Sequence, residues 1–151
     1  MAGCPAAPTA LARGQEIAQE FNQDARFGRN ELMIEHVAPA ARDDFAAHHR
    51  AWGTEVRVAD VELAGMKARG EHELEVLVRV AWYRPDEQEL RVTTVEQRWQ
   101  DANGWQLAAE KRVDGDLGLL GETVVRDALD GGARAPARFP TVQLRGTPPG
   151  P

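Results

Sequence analysis

The stretch that decides the fold is 73–83, ELEVLVRVAWY, where apolar and charged side chains alternate. Five apolar residues occupy every second position: Leu74, Val76, Val78, Val80 and Trp82. Because successive side chains of a β-strand point to opposite faces of a sheet, this period of two predicts a strand with one buried face. The apolar set is expected to be buried, whereas three charged residues of the same stretch are not: Glu73, Glu75 and Arg79.

A period of two also occurs on both sides of this stretch. Upstream, residues 56–63 alternate but slip by one position after Val58, which is typical of a β-bulge. Downstream of the turn at Pro85-Asp86, residues 90–99 alternate and slip in the same way between Val92 and Val95. The sequence therefore predicts a strand on each side, each with one bulge.

A fourth strand follows the hairpin signal Asn103-Gly104, with Trp105, Leu107 and Ala109 on one face. Four consecutive strands predict an antiparallel meander. Two bulges predict a strongly bent sheet, because each bulge bends its strand and adds twist.

The chain before residue 56 has the helical period of 3.6. Thr9 is a suitable N-cap, and one helical face follows it: Leu11, Gly14, Ala18, Phe21 and Ala25. A second, short helix is expected from Asn30 to the break at Pro39. Pro39 suits the start of a third helix, whose apolar face consists of Ala41, Phe45, His48 and Trp52. Helices first and strands afterwards indicate the α+β class.

Composition indicates one globular domain without affinity for nucleic acid. The 151 residues are 42% apolar and carry a net charge of −6, and no basic stripe offsets that charge. Residues 1–8 are predicted to be a flexible tether, residues 9–130 a single α+β domain, and residues 131–151 a disordered tail rich in Pro and Gly.

Three segments together resemble a known superfamily: VRVADVEL at 56–63, LEVLVRVAWYRPDEQELRVTTVEQRWQ at 74–100, and NGWQLAAEKRV at 103–113. Their layout is similar to the cone-shaped proteins that include nuclear transport factor two, ketosteroid isomerase and the SnoaL-like cyclases. The resemblance implies three N-terminal helices packed on a strongly bent antiparallel β-meander, the cystatin-like cone roll. More narrowly, the chain resembles uncharacterised lipoproteins of Gram-negative bacteria.

The superfamily includes isomerases, dehydratases and cyclases as well as non-catalytic binding and assembly modules, so fold does not select a function. Its enzymes that resemble ketosteroid isomerase pair a carboxylate base with a Tyr or Asp donor, and that set is not matched here. The single tyrosine, Tyr83, alternates with Trp82 and should face away from the core. No catalytic residue is carried over. The resemblance also implies a homodimer through the convex face, which would carry Leu77, Ala81 and Tyr83.

Five residues are candidates for the wall of a pocket inside the cone: His48, Trp52, Trp82, Glu96 and Trp99. His48 shares its predicted helical face with two aromatic residues, where a neutral imidazole could act as a base or a polar anchor. The alternative is a hydrogen-bonded histidine at the edge of the core. Glu96 belongs to a pocket only if the second bulge turns Thr94, Glu96 and Arg98 to the concave face, and otherwise these are surface groups.

No metal or organic cofactor is expected. Asp44 and His48 are four residues apart and His49 is adjacent. Neighbouring helical positions point about 100° apart, and no third ligand follows at a recognisable spacing. The sequence also lacks a Gly-rich phosphate loop.

Cys4 is the single cysteine, and Ala2-Gly3-Cys4 matches the end of a lipoprotein signal, although no apolar stretch precedes it. A lipid on Cys4 would place the domain at the cell envelope, facing the periplasm, with the membrane reached only through the anchor. The alternative is a cytoplasmic protein in which Cys4 has no role.

Two functions follow from these expectations. The first is a non-catalytic binding or assembly module, tethered to a membrane, whose partner is a small apolar ligand or a protein. The second is a small-molecule isomerase or dehydratase that uses His48 as its base. A cavity of at least several hundred Å³, with His48 opposite a carboxylate, would favour the enzyme. A cone filled by its own Trp and Val side chains would favour the module.

Overall fold

The computed structural model describes residues 9–123, so the predicted tether, the predicted tail and Cys4 lie outside the described residues. The described chain has an α+β fold with a four-stranded antiparallel sheet. Its helices are α1 (Ala10–Arg26), α2 (Asn30–Met33) and α3 (Arg42–His48), with 3₁₀ turns at Ile34–His36 and Pro39–Ala41. Its strands are β1 (Arg57–Ala68), β2 (Glu73–Tyr83), β3 (Arg91–Asp101) and β4 (Trp105–Gly115).

Helix α1 contacts all four strands. Thr9 caps its first turn, because the side-chain oxygen accepts a hydrogen bond of 3.0 Å from the Ala12 N–H. Four residues of the predicted face are buried: Gly14, Ala18, Phe21 and Ala25. At Gly14 an added Cβ would come within 2.7 Å of the Trp105 ring. The missing side chain therefore lets α1 approach β4 closely.

The third helix is shorter than its apolar spacing predicts. It ends at His48, with His49 as its C-cap, so the helical period does not continue to Trp52. Phe45 and Trp52 are buried as expected. His48, predicted to point inward, is only partly buried: 34% of its side chain is exposed, against 4% for His49.

Strand β2 has the buried face that the alternation predicts. Val76, Val78, Val80 and Trp82 are each at most 3% exposed, whereas Arg79 is exposed and two glutamates at the start of the strand are half-buried. The prediction for this stretch is confirmed.

Truncating Val78 to Ala should lower the free energy of unfolding by about 1–3 kcal/mol, because the site is 1% exposed and the smaller side chain leaves a cavity. Urea unfolding followed by circular dichroism measures the change. Leu90→Ala is the control, since Leu90 is 62% exposed and lies outside the strands. Equal losses for the two variants would contradict the burial of Val78.

Bulges interrupt both edge strands of the sheet, whose order is β1-β2-β3-β4. The register of β1 against β2 shifts between Val58 and Asp60, where the sequence predicts a bulge, and again between Leu63 and Gly65. Each bulge bends its strand and increases the local twist.

The prediction of a bulge within β3 is wrong. Strand β3 pairs with β2 without a shift, and the further bulges lie in β4, opposite the steps 94–95 and 98–99 of β3. The alternation of β3 is uninterrupted, but two of its inner residues are the polar Thr93 and Gln97. Both are hydrogen-bonded: Thr93 donates to the Asp116 carbonyl at 2.7 Å, and Gln97 exchanges two bonds with Asn22 of α1.

Candidate functional site

The inside of the fold is filled by its own side chains. Trp82 and Trp99 are fully buried and Trp52 is 8% exposed. Each indole N–H donates a hydrogen bond of 2.8–3.1 Å. The cavity left between α1 and the sheet measures about 10 Å³. These three pocket candidates are therefore part of the packed core.

A second cavity, which we call the His48 cleft, lies between α3 and β4 and has a volume of about 80 Å³. Its apolar lining includes Phe45 and Leu107, and its polar lining consists of Asp44, His48 and Glu110. His48 is the one pocket candidate that lines this cleft.

Glu110 is the centre of the polar side of the cleft. Only 6% of its side chain is exposed, and its Oε2 lies 2.8 Å from His49 Nε2 and 3.3 Å from His48 Nδ1. An ionised carboxylate only accepts hydrogen bonds. Both contacts are therefore hydrogen bonds when His49 carries a proton on Nε2 and His48 carries one on Nδ1.

Glu110 was not predicted from the sequence because a bulge reverses the alternation of β4. Simple alternation from Trp105 and Leu107 places Ala109 inside and Glu110 outside. In the structure, Leu107 pairs with Trp99 whereas Glu110 pairs with Gln97, so the bulge lets both residues of β4 face inward. The predicted inner position of Ala109 is wrong, and this residue is exposed.

The contact between His48 and Glu110 shifts the pKa values of both groups. The hydrogen bond to Glu110 raises the pKa of His48 above its ordinary value, against the opposing effect of burial. Burial by itself would raise the pKa of Glu110, but the charge of His49 and hydrogen bonds from both imidazoles lower it below its ordinary value. Glu110 is thus held as an anion.

His49 is enclosed by aromatic rings. Its ring stacks on Phe45 with centroids 4.0 Å apart and lies 4.1 Å from Trp52. Its Nδ1 is buried and has no hydrogen-bond partner among the described residues. The sequence signal for this site was the adjacent pair His48-His49, although the spacing of the pair was considered above only for metal binding.

Glu96 lies away from both cavities. Because β3 has no bulge, Glu96 shares the outer face with Thr94 and Arg98, which is the surface alternative considered above. Its Oε1 lies 3.9 Å from Lys111 Nζ in β4. The expectation that Glu96 lines a pocket is not met, and the physical reason is the position of the bulge.

Two other kinds of site are absent from residues 9–123. No three His, Cys, Asp or Glu side chains there are close enough together to hold a metal ion. None of the helices in this part of the chain is both long and apolar enough to span a bilayer.

Comparison with known proteins indicates a fold and no family. No family model matches the chain, and no curated protein matches it. Among solved structures, a SEC-C motif-containing protein from Rhodopseudomonas palustris is similar, with a TM-score of 0.51 and 18% identity over 62% of this chain and 73% of that chain. At this identity the likeness shows a shared fold alone, and that fold is α+β.

Proposed function

We propose that this domain is a non-catalytic binding or assembly module of the cone superfamily, held at the cell envelope by a lipid on Cys4. The filled interior is the observation that carries the proposal. Pockets for small molecules usually measure about 300–1,000 Å³, whereas the two cavities against the core measure about 10 and 80 Å³. Two larger hollows, of about 400 and 380 Å³, are shallow grooves on the outside of the domain. A steroid-sized substrate has no room inside such a core.

The cone assignment is supported by the bulges in both edge strands and by the position of α1. Bulges bend a sheet, and a bent sheet presents a concave face that one long helix can cover. Helix α1 contacts every strand of the sheet, as that arrangement requires.

Apolar probes test the filled interior. We expect that neither a steroid-sized ligand nor benzene produces a saturable change in the methyl resonances of Val78, Val80 and Val95, which lie on the inner face. Saturable shifts of these methyl groups in the full-length protein would show an open interior, and the observation that carries the proposal would then be wrong.

A second candidate function is a small-molecule isomerase or dehydratase with His48 as its base. The contact between His48 Nδ1 and Glu110 favours it, because a carboxylate at one ring nitrogen orients the imidazole for proton transfer at the other. No residue in 9–123 forms a hydrogen bond with His48 Nε2. The small cleft would restrict the substrate to a few heavy atoms.

Deuterium incorporation distinguishes the two functions. Small ketones incubated with the protein in D₂O should exchange at the same rate for the wild type and for His48→Gln if the domain is a binding module. An enzyme would exceed the variant by about a hundredfold or more, the usual size of general base catalysis.

The outer face of the sheet supports the homodimer. Leu77 and Tyr83 are each 37% exposed, and Val92, paired with Ala81, is 39% exposed. Replacing Tyr83 by Arg would place a charge among these apolar groups and should shift the protein from dimer to monomer in sedimentation velocity. Leu90→Arg, outside the strands, is the control and should not change the assembly. A wild-type protein that sediments as a 16.6 kDa monomer at micromolar concentration would contradict the dimer.

The lipid anchor is tested in the native gene. In a Gram-negative host, the full-length protein should partition into the membrane fraction, and Cys4→Ser should release it. Unchanged partitioning of the variant, without any lipid on the wild type by mass spectrometry, would leave the cytoplasmic alternative.

A further inference from the structure

We propose that the His48 cleft binds a primary ammonium group, with the carboxylate of Glu110 as its anchor. This inference rests on the proposed binding function and deepens it by naming the chemical class of the ligand. A lysine side chain of a protein partner and a small free alkylamine share this chemistry.

The charge of Glu110 is balanced only by imidazoles within the described residues. Its carboxylate is 94% buried by side-chain area, yet its ion-pair partners within residues 9–123 are two imidazoles and no Lys or Arg. A buried anion is costly unless a cation is paired with it. An imidazole is a cation for only part of the physiological pH range. As pH rises and His48 loses its proton, the cleft therefore loses one positive charge.

One carboxylate oxygen of Glu110 accepts no hydrogen bond from residues 9–123. Both imidazoles contact Oε2 of Glu110, and no residue in the described chain donates to Oε1. Glu110 lines the cleft, and 6% of its side chain is exposed. An ionised carboxylate accepts hydrogen bonds on both oxygens. Oε1 thus offers an open acceptor to a ligand that carries N–H donors.

The lining of the cleft also matches an alkylammonium ion. Phe45 and Leu107 form apolar walls, and Asp44 adds a second, exposed carboxylate. An ammonium group has three donors and no acceptor, so it matches two carboxylates, and a short alkyl stem matches the apolar walls. A volume of about 80 Å³ excludes larger ligands, and the two carboxylates repel anionic ones.

His48 and the ammonium group are competing counter-ions for Glu110. Three carboxylates act on His48: Glu110 from β4, Asp44 from α3, and Glu122 from the segment after β4. Protonated His48 pairs with Glu110 at 3.3 Å, beside His49 at 2.8 Å, and deprotonated His48 leaves its own place to the ligand. Affinity for the ammonium should therefore rise about tenfold per pH unit below the pKa of His48 and level off above it.

Titration of the full-length protein with n-butylammonium, followed by the NMR signals of His48 and Leu107, tests the site. We expect saturable shifts with that pH dependence. n-Butanol has the same stem without the charge and tetramethylammonium has the charge without donors, so both should bind at least tenfold more weakly. Nα-acetyl-lysine methylamide separates the sources: its binding points to a protein lysine, and binding of butylammonium alone points to a free amine.

Variants test the roles of individual groups. Glu110→Gln should weaken binding at least tenfold, His48→Gln should make it independent of pH, and the outer-face control Glu96→Gln should change nothing. If Glu110→Gln does not fold, the site is tested by the wild-type protein alone, through the pH dependence of butylammonium binding and the comparison with n-butanol. Equal affinity for n-butanol, or an affinity that does not change with pH, would overturn the proposal, while the filled interior and the module function would stand.

Discussion

Replacing Glu110 by Ala should lower the free energy of unfolding by about 3–5 kcal/mol, the usual cost of breaking a buried ion pair. The variant removes two hydrogen bonds at once, at 2.8 Å and 3.3 Å. His49 would keep no hydrogen-bond partner on either ring nitrogen, because its Nδ1 is already buried without one among the described residues. Chemical denaturation near pH 6 measures the loss.

Glu96→Ala is the matched control for this experiment. It removes a carboxylate from the neighbouring strand, but on the outer face, where the contact with Lys111 is 3.9 Å long. We expect a change of about 0–1 kcal/mol, as for other surface ion pairs. Similar losses at the two positions would mean that the cluster of Glu110, His48 and His49 does not stabilise the fold.

The stability that Glu110 contributes should depend on pH. The hydrogen bond to Glu110 raises the pKa of His48 above 6.5, so its contribution is complete below the unfolded pKa and is lost as pH rises through the folded pKa. Glu110, buried but held by the charge of His49 and two hydrogen bonds, has a pKa below 4.5. Its contribution is present above the unfolded pKa and is lost as pH falls through the folded one. The difference in the free energy of unfolding between the wild type and Glu110→Ala should thus be largest between pH 4.5 and 6.5.

Replacing Trp99 by Ala is expected to cost about 3–5 kcal/mol, the range for large aromatic truncations in cores. Trp99 is fully buried and meets the ring of Phe21 edge to face, with centroids 5.1 Å apart. Its removal also takes a hydrogen bond from Gln97. Thermal and urea unfolding measure the loss.

A double-mutant cycle with Phe21→Leu tests whether this contact joins α1 to the sheet. The two substitutions should be non-additive, because residues in contact share part of their stabilisation. Leu90→Ala is the control, since Leu90 is 62% exposed and lies outside the strands. Additive losses for Trp99 and Phe21 would contradict the packing of α1 described here.

The strand at 73–83 and the long first helix could be predicted from the sequence because each repeats one period with few interruptions. In β2 every second residue is apolar, and in α1 the buried side chains follow the spacing of three and four. These patterns depend on local geometry, which neighbouring residues express without help from distant ones. The α+β class followed directly from them.

The candidate site could not be predicted in the same way, because it depends on bulges and on a helix end. A single extra residue in β4 brings Glu110 to the inner face, and the end of α3 at His48 brings His49 into the core. A one-residue slip reverses every later side chain of a strand, so small errors of phase exchange inner for outer residues. Polar residues on the inner face, such as Gln97, made the alternation of β3 hard to recognise in the sequence. The hydrogen bonds that stabilise buried Gln97 come from Asn22, which is far away in the chain.

By itself, then, the sequence determined the class of the fold, the faces of β2 and α1, and the aromatic core. Only the tertiary structure decided that the interior is full and that Glu110 is shared by two histidines across 61 and 62 residues of chain. The physical reason is the range of the forces involved. Periodicity records whether each residue contacts water, whereas a buried carboxylate is held by hydrogen bonds from groups that only folding brings within 3.3 Å.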